Sequence, residues 1–360
     1  MKSVSGQHNS NGIRTGGGRP TPRHRPFIIP IFLPHWGCPH RCVFCNQHAI
    51  TGVQRKKISP AAVGSQINTF LKYRGKPRSR VEVAFFGGNF LGLGPDYIKA
   101  VLYEARTFVR AGLVDGIRFS TRPDTIDSER LYLIKPYPVS TVELGVQSMD
   151  DHILALARRG HTAADTQKAV DLLKQYNYTI GLQMMVGLPG DNHEKTLASA
   201  GKISALQPDF VRIYPTVVLD GSLLASWYQT GKYKPLELDD GVDIVKKLYL
   251  YFKDKDIAVI RMGLHMSAED QRLNPIIAGP YHPSFGHLVH SKIFLDLAVS
   301  ALNSKRDVFD TVTIKVHPHS VSKMRGLNND NIKTLKNRFQ IGSLNISPDP
   351  TLAEDQLILA

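Results

Sequence analysis

Cysteine is scarce in this sequence: three in 360 residues, all inside the stretch 38–45. An odd number confined to one short segment excludes a disulfide framework and leaves ligation as their use. Long apolar runs are also missing. A membrane helix needs roughly eighteen or more uninterrupted apolar residues, no run approaches that, and the first twenty residues contain no signal-peptide core,. No membrane partner is expected, and the cytoplasm is the expected address. Acidic residues are the third shortage: 31 Asp and Glu stand against 45 Lys and Arg, a formal charge of +14. Residues 1–26 have no acid at all and are rich in Gly, Ser, Asn and Pro, the composition of a disordered basic arm,. Surplus positive charge favours a polyanion, nucleic acid first, with a merely solvated basic surface as the alternative.

What is present suffices for a large domain and a smaller one, since 42% of the residues are hydrophobic,. Seven short apolar segments alternate with helical ones: PFIIPIF, VEVAFF, GIRFST, TVELGV, TIGLQMMVGL, FVRIYP and IAVIRM. Helices are expected to start at Ser59-Pro60 and Pro95-Asp96, where proline suits a first turn,. Strands separated by helices read as a parallel α/β sheet, here a partial (β/α)6-type barrel over residues 27–265. Residues 266–360 change character: a Pro- and His-rich linker, a helix near 284–304, the strand TVTIKV, a helix after Asn329-Asp330 and the strand SLNIS, forming a small C-terminal α+β appendage.

Parallel α/β sheets place their sites where strands end. The polar punctuation gathers there: His35 and the cysteines after the first strand, Gly87-Gly88-Asn89 after the second, Ser120-Thr121-Arg122 after the third, Gln147-Ser148 after the fourth and Gly187-Leu188-Pro189-Gly190 after the fifth. Cys38, Cys42 and Cys45 have a three-then-two spacing that lets three thiolates converge on one centre, and no fourth cysteine exists to fill a four-iron cluster's last position,. An iron open to a small molecule points to catalysis. A Cys₃His zinc site completed by His35, His40 or His48 is the alternative at this point,.

The cysteine loop, with Phe44 before its last cysteine, resembles the signature of the radical S-adenosylmethionine superfamily. GGNF at 87–90, STRPD at 120–124, ELGVQS at 143–148, RRGHT at 158–162, GLPG at 187–190 and RIYPT at 212–216 then follow in the order seen in the radical domain of the Elongator catalytic subunit and its bacterial homologues. The resemblance implies a partial parallel barrel and a 4Fe-4S cluster on Cys38, Cys42 and Cys45. Its open iron would hold the amino and carboxylate groups of S-adenosyl-L-methionine, and an electron donor of flavodoxin or ferredoxin type would drive cleavage to methionine and a 5′-deoxyadenosyl radical. It further implies that Gly87 and Gly88 let backbone approach the methionine moiety, that Asn89 adds a polar contact, and that Gly187 and Pro189 shape the adenine end. By similarity to oxygen-independent coproporphyrinogen oxidases, Ser120, Gln147, Arg159 and Gln183 stand where polar groups hold ribose and carboxylate; Ser120 and Gln183 replace acidic residues of those relatives. Tyr214 and Arg261 end their strands and are the candidate catalytic, substrate-facing residues.

Elongator relatives act on a transfer RNA wobble uridine with a fused acetyltransferase domain, which the roughly 95 residues after the barrel are too few to supply,. The tail offers instead SKMRGLNNDNIKTLK, similar to a KH element whose G-x-x-G turn clamps a nucleic-acid backbone,. Asn329 replaces the second glycine, and Lys323, Arg325, Gly326 and Lys333 are the expected RNA contacts, with a simple packing module as the alternative reading,. The expected function is radical chemistry on an RNA base. A radical enzyme acting on a small molecule or a protein side chain is the runner-up, and a non-catalytic iron–sulfur or zinc protein is the distant third.

Overall fold

The computed structural model describes residues 26–33, 36–47, 58–73, 80–266, 275–305 and 310–360. The expected basic arm, apart from Pro26, and His35 and His48 lie outside the described residues. Strand β1 (Phe27–Phe32) leads to helix α1 (Pro60–Lys72), β2 (Val81–Phe86), α2 (Pro95–Arg110), β3 (Gly116–Thr121), α3 (Ser128–Ile134) and β4 (Val139–Gln147). After α4 (Asp151–Leu156) and α5 (Ala163–Gln175) come β5 (Thr179–Val186), α6 (His193–Ala205), β6 (Phe210–Pro215), the short β7 (Val218–Leu219), α7 (Leu223–Gln229), α8 (Leu238–Asp254) and β8 (Ala258–Met262). The seven long strands lie side by side in chain order, β1-β2-β3-β4-β5-β6-β8, every pair parallel. This is the curled half-barrel expected from the sequence: six crossovers joining seven strands.

Local chemistry places the helices as read. Ser59 caps α1 by accepting from the Ala62 amide, with Pro60 in the first turn,. In α2, Ile98, Val101, Leu102, Ala105 and Phe108 repeat at helical spacing and are buried,. Each such fully buried aliphatic side chain contributes roughly 1.5–3 kcal/mol relative to exposure.

Side chains alternate across a strand, and the two faces of this sheet differ. Val83, Phe85, Ile117, Phe119, Val142, Leu144, Leu182, Met184, Val211 and Ile213 lie in the apolar core with the helices. The intervening positions carry Glu82, Arg118, Ser120, Glu143, Gln183, Arg212 and Tyr214, so the other face of the half-barrel is polar and charged.

Beyond the barrel, β9 (Ile276–Ala278) pairs antiparallel with β7, so part of the stretch expected to be a linker is strand: it supplies the hydrogen bonds that Val218 and Leu219 would otherwise lack,. Helix α9 (Phe285–Ser304) precedes β10 (Thr311–Val316), α10 (Val321–Arg325), α11 (Asp330–Phe339), β11 (Ser343–Pro348) and β12 (Leu357–Leu359). Strand β10 is central, parallel to β11 and antiparallel to β12. Helix α9 serves two cores: Phe285, Val289 and Ile293 enter the barrel core, and Phe294, Ala298, Ala301 and Leu302 enter the core of the α+β unit.

Candidate active site at the strand ends

The cysteine loop is fastened from several sides. The Val43 amide donates to the Ala157 carbonyl (3.1 Å) and the Val43 carbonyl accepts from the Leu224 amide (2.8 Å), joining the loop to α4 and α7. Val43 itself is buried in a small cluster with Ile153, Leu188 and Leu224, against which Phe44 packs. Asn89 fastens the other end. Its Nδ2 donates to the Gly37 carbonyl (2.9 Å), and its Oδ1 accepts from Thr121 Oγ1 (2.6 Å), the Arg122 amide (3.0 Å) and Thr125 Oγ1 (3.0 Å). Asn89 is fully buried with its amide thus engaged, so in this structure it braces the cysteine loop. Gly88 lies under the same loop. A Cβ there would meet the Trp36 carbonyl at 2.3 Å and the Leu33 carbonyl at 2.5 Å, and only glycine lets the two backbones come this close,.

All three cysteines are free thiols, Cys42 buried and the others half-buried. Burial pushes Cys45 up to about 12, with the neighbouring Cys42 and Cys38 adding to the shift; burial likewise raises Cys38, while Arg159 and Arg122 act in the opposite direction. Arg159 donates from Nη1 to Cys42 Sγ (3.3 Å) and from Nη2 to the Gly145 carbonyl (2.6 Å). It meets Gln147 over Gly145, whose absent Cβ leaves room for both. Gln147 ends β4 with a left-handed backbone, φ 70°. His161 is driven down to about 3, first by burial and then by the Arg159 and Arg122 guanidiniums, so it is neutral; its Nε2 lies 3.2 Å from the Val146 carbonyl.

The sequence reading placed Arg122 at a strand end without giving it a role; 2% of it is exposed. Its Nε and Nη2 bind the Asp124 carboxylate, both at 2.9 Å, and its Nη1 has no partner among the described residues. The same reading overlooked the charges on the barrel's polar face. Glu143 accepts from Arg212 Nη2 (2.9 Å) and Gln183 Nε2 (3.0 Å), with Arg118 Nη1 at 3.6 Å; Glu82 pairs with Arg118 Nε at 3.1 Å. Burial works most strongly against the charge on Arg212, and Glu143 together with the Tyr214 hydroxyl outweighs it, so its pKa stands above the usual value. Ser120 Oγ lies 3.4 Å from Gln183 Nε2, and Tyr214 OH lies 3.4 Å from Arg212 Nη1, so Ser120, Gln183 and Tyr214 all join this network. Arg261 stands in register beside Arg212 on the edge strand and is exposed. The signal in the sequence was polar residues two apart on strands, a common face that becomes a site only when the sheet curls.

The Gly187–Gly190 turn borders a cavity of about 430 Å³ also lined by Asp191, Trp227 and Tyr233. The Gly187 amide donates to Asp191 (3.0 Å), and its carbonyl accepts from the Tyr233 hydroxyl (2.6 Å). His40 is exposed, its ring beneath Gly160. Lys323, Arg325, Gly326 and Lys333 belong to the α+β unit, apart from the strand ends.

The residues fit an iron–sulfur cluster. Three thiols sit in one braced loop, Arg159 donates to one of them, and the buried donors Arg122 Nη1, Arg159 Nε and Trp36 Nε1 have no acceptor among the described residues. Thiols whose burial holds them protonated are expected to ionise when they ligate a metal.

A model of the radical SAM superfamily matches residues 34–202, and a model of the radical SAM C-terminal domain matches residues 208–294. A tRNA uridine(34) acetyltransferase from Dehalococcoides mccartyi is 30% identical over 230 residues, 55% of this chain and 50% of that protein. Elongator complex protein 3 of Dictyostelium discoideum is 27% identical over 269 residues, 61% of this chain and 47% of that protein. The chain thus spans about half the length of these relatives. The solved structure of the archaeal Methanocaldococcus infernus Elp3 shares the fold, with a TM-score of 0.61 at 23% identity over 74% of this chain and 62% of that one. No described helix is long and apolar enough to cross a membrane. With one model on the strands that carry the cysteines and the other on those that complete the sheet, the chain belongs to the radical SAM superfamily, and its radical domain resembles that of the Elongator catalytic subunit.

Proposed function

We propose that this enzyme uses a 4Fe-4S cluster on Cys38, Cys42 and Cys45 and S-adenosylmethionine to modify a base of an RNA, a transfer RNA being favoured by its relatives' names. The observation that carries the reading is the meeting of three free thiols with Arg159 at the rim of a charged half-barrel. When bound, the cluster supplies the electron that cleaves S-adenosylmethionine to methionine and a 5′-deoxyadenosyl radical.

The chain's own part is placement and electrostatics. Arg159 and Arg122 offset the negative charge of ligated thiolates and offer donors to an anionic cofactor atom. Gln147, at the same rim, is placed for a polar contact with S-adenosylmethionine. Asp191 and Tyr233 engage the Gly187 amide and carbonyl, which holds this turn in one shape beside a cavity that a base could enter. Ser120, Gln183, Arg212 and Tyr214 give the concave face directional hydrogen-bonding groups, which suit a polar, planar substrate better than an apolar one. Tyr214 and Arg261 are the substrate-facing candidates.

The test is anaerobic reconstitution with dithionite and S-adenosylmethionine, in the presence and absence of transfer RNA, measuring 5′-deoxyadenosine and the nucleosides after digestion. Wild type is expected to form 5′-deoxyadenosine and a mass-shifted nucleoside, and Cys42→Ala neither. No 5′-deoxyadenosine from iron-loaded wild type refutes the cofactor assignment. Its formation with every nucleoside unchanged transfers the reading to a small-molecule or protein substrate.

A further inference from the structure

The α+β unit has a feature that the radical chemistry leaves unused. Strand β10, helix α10, a four-residue turn, helix α11 and strand β11 follow in order, with β10 and β11 adjacent and parallel. The turn is Gly326-Leu327-Asn328-Asn329, and its two asparagines are left-handed, φ 52° and 62°. Asparagine tolerates this conformation better than most residues, which explains how the turn forms without a second glycine. Gly326 itself has φ 76°, and a Cβ there would press on Asn331 at 3.0 Å. Asn331 is buried and holds the two helices together: its Nδ2 lies within hydrogen-bond distance of the carbonyls of Ser291 (2.8 Å), Met324 (3.1 Å) and Lys323 (3.3 Å).

Charge is concentrated on this pair of helices. Residues 321–340 hold five basic side chains, Lys323, Arg325, Lys333, Lys336 and Arg338, and one acid, Asp330, which pairs with Lys333 at 3.3 Å. Leu327, Asn328 and Asn329 are exposed at the tip. The unit is fastened to the barrel through α9 and through the Lys253–Asp355 pair. Strand β8 runs into Gly263, which packs on Phe285 at the start of α9, and Asn331 is fastened to Ser291 on the same helix. Six residues of helix span about 9 Å, so the point where Asn331 is fastened lies about that far along α9 from the residue that meets the end of β8.

We infer that the Gly326–Asn329 turn and its flanking basic helices are a clamp for the sugar–phosphate backbone of single-stranded RNA. The occupant follows from charge complementarity with a polyanion, together with an exposed two-helix turn that strand can pass over. Recognition would be of backbone and shape, with little sequence preference. The inference rests on the RNA reading proposed above and extends it by naming where the polymer is held away from the reacting base.

The test uses the full-length, cluster-loaded protein and a fluorescein-labelled anticodon stem-loop RNA, with anisotropy read at two salt concentrations. Asn328→Asp/Asn329→Asp places two negative charges on the exposed tip while keeping residues that accept the left-handed backbone. It is expected to weaken binding at least tenfold, with an unchanged melting temperature and unchanged 5′-deoxyadenosine formation in the absence of RNA. Arg325→Ala is expected to lower the slope of log affinity against log salt by about 0.7, one single-strand phosphate contact. If wild type binds and both variants match it in affinity and slope, the clamp is wrong and the RNA reading stands. If wild type does not bind, both fall.

Discussion

Arg159 bridges Cys42 and Gly145: one guanidinium nitrogen is 3.3 Å from the thiol sulfur and another 2.6 Å from the carbonyl of a β4 residue 14 positions earlier in the chain. A positive charge beside a cluster ligand favours the more negative, reduced cluster. Arg159→Gln is therefore expected to shift the midpoint potential downward by the order of 60 mV, a tenfold change for one electron, while iron content is kept. Redox titration followed by electron paramagnetic resonance measures it; an unmoved potential would remove Arg159 from the cluster's surroundings.

Asn89 divides its amide between two tasks, donation to the cysteine loop and acceptance from the segment 121–125. Asn89→Asp keeps the acceptor and loses the donor, so thermal stability is expected to suffer less than iron retention. Asn89→Ala loses both and leaves buried donors unpaired, at roughly 1–3 kcal/mol for each group left unsatisfied. Iron per chain after gel filtration and the thermal midpoint separate the two effects.

Glu143 is fully buried between Arg118 and Arg212. Removing its charge leaves the buried Arg212 without a carboxylate, while Arg118 keeps Glu82, and Glu143→Gln is expected to cost roughly 3–5 kcal/mol,. Urea denaturation of the anaerobic protein checks this, and a shift below about 1 kcal/mol would mean that water reaches and screens the network.

A pH dependence follows from the start of α5. Thr162 caps the helix, and its backbone amide and hydroxyl donate to the Asp165 carboxylate, which holds that carboxyl below the usual range. Because the folded value is depressed, its contribution is present above about pH 4, the ordinary Asp value, and lost as pH falls through the folded value. Asp165→Asn is expected to lower the melting temperature at pH 7 and to converge with wild type in strong acid. Thr162→Ala is expected to cost about 1 kcal/mol.

The strands and their order were legible because each is a short apolar run ended by Gly, Pro or a polar group, and each intervening segment shows helical spacing. The three cysteines were legible because they are the only ones. The Glu143–Arg212 pair was not: its members are 69 residues apart, and each looks in sequence like an ordinary solvent-facing residue of a half-buried strand. Nor was the pairing of Val218–Leu219 with Ile276–Ala278, since two- and three-residue strands leave no periodicity to read. Arg122 was quoted only at a strand end and within a motif; that its third nitrogen is buried without a partner among the described residues becomes visible when the residues around it are in place.

Helix α9, planted in both cores, makes the distance between the basic turn and the cysteine pocket a fixed length. A polymer gripped at one end can then offer to the other only the nucleotide that lies that many steps along the strand. With RNA held as proposed, such a helix would act as a ruler: it would select a position by counting, and would let an enzyme with few base-reading contacts be particular about where along an RNA it works.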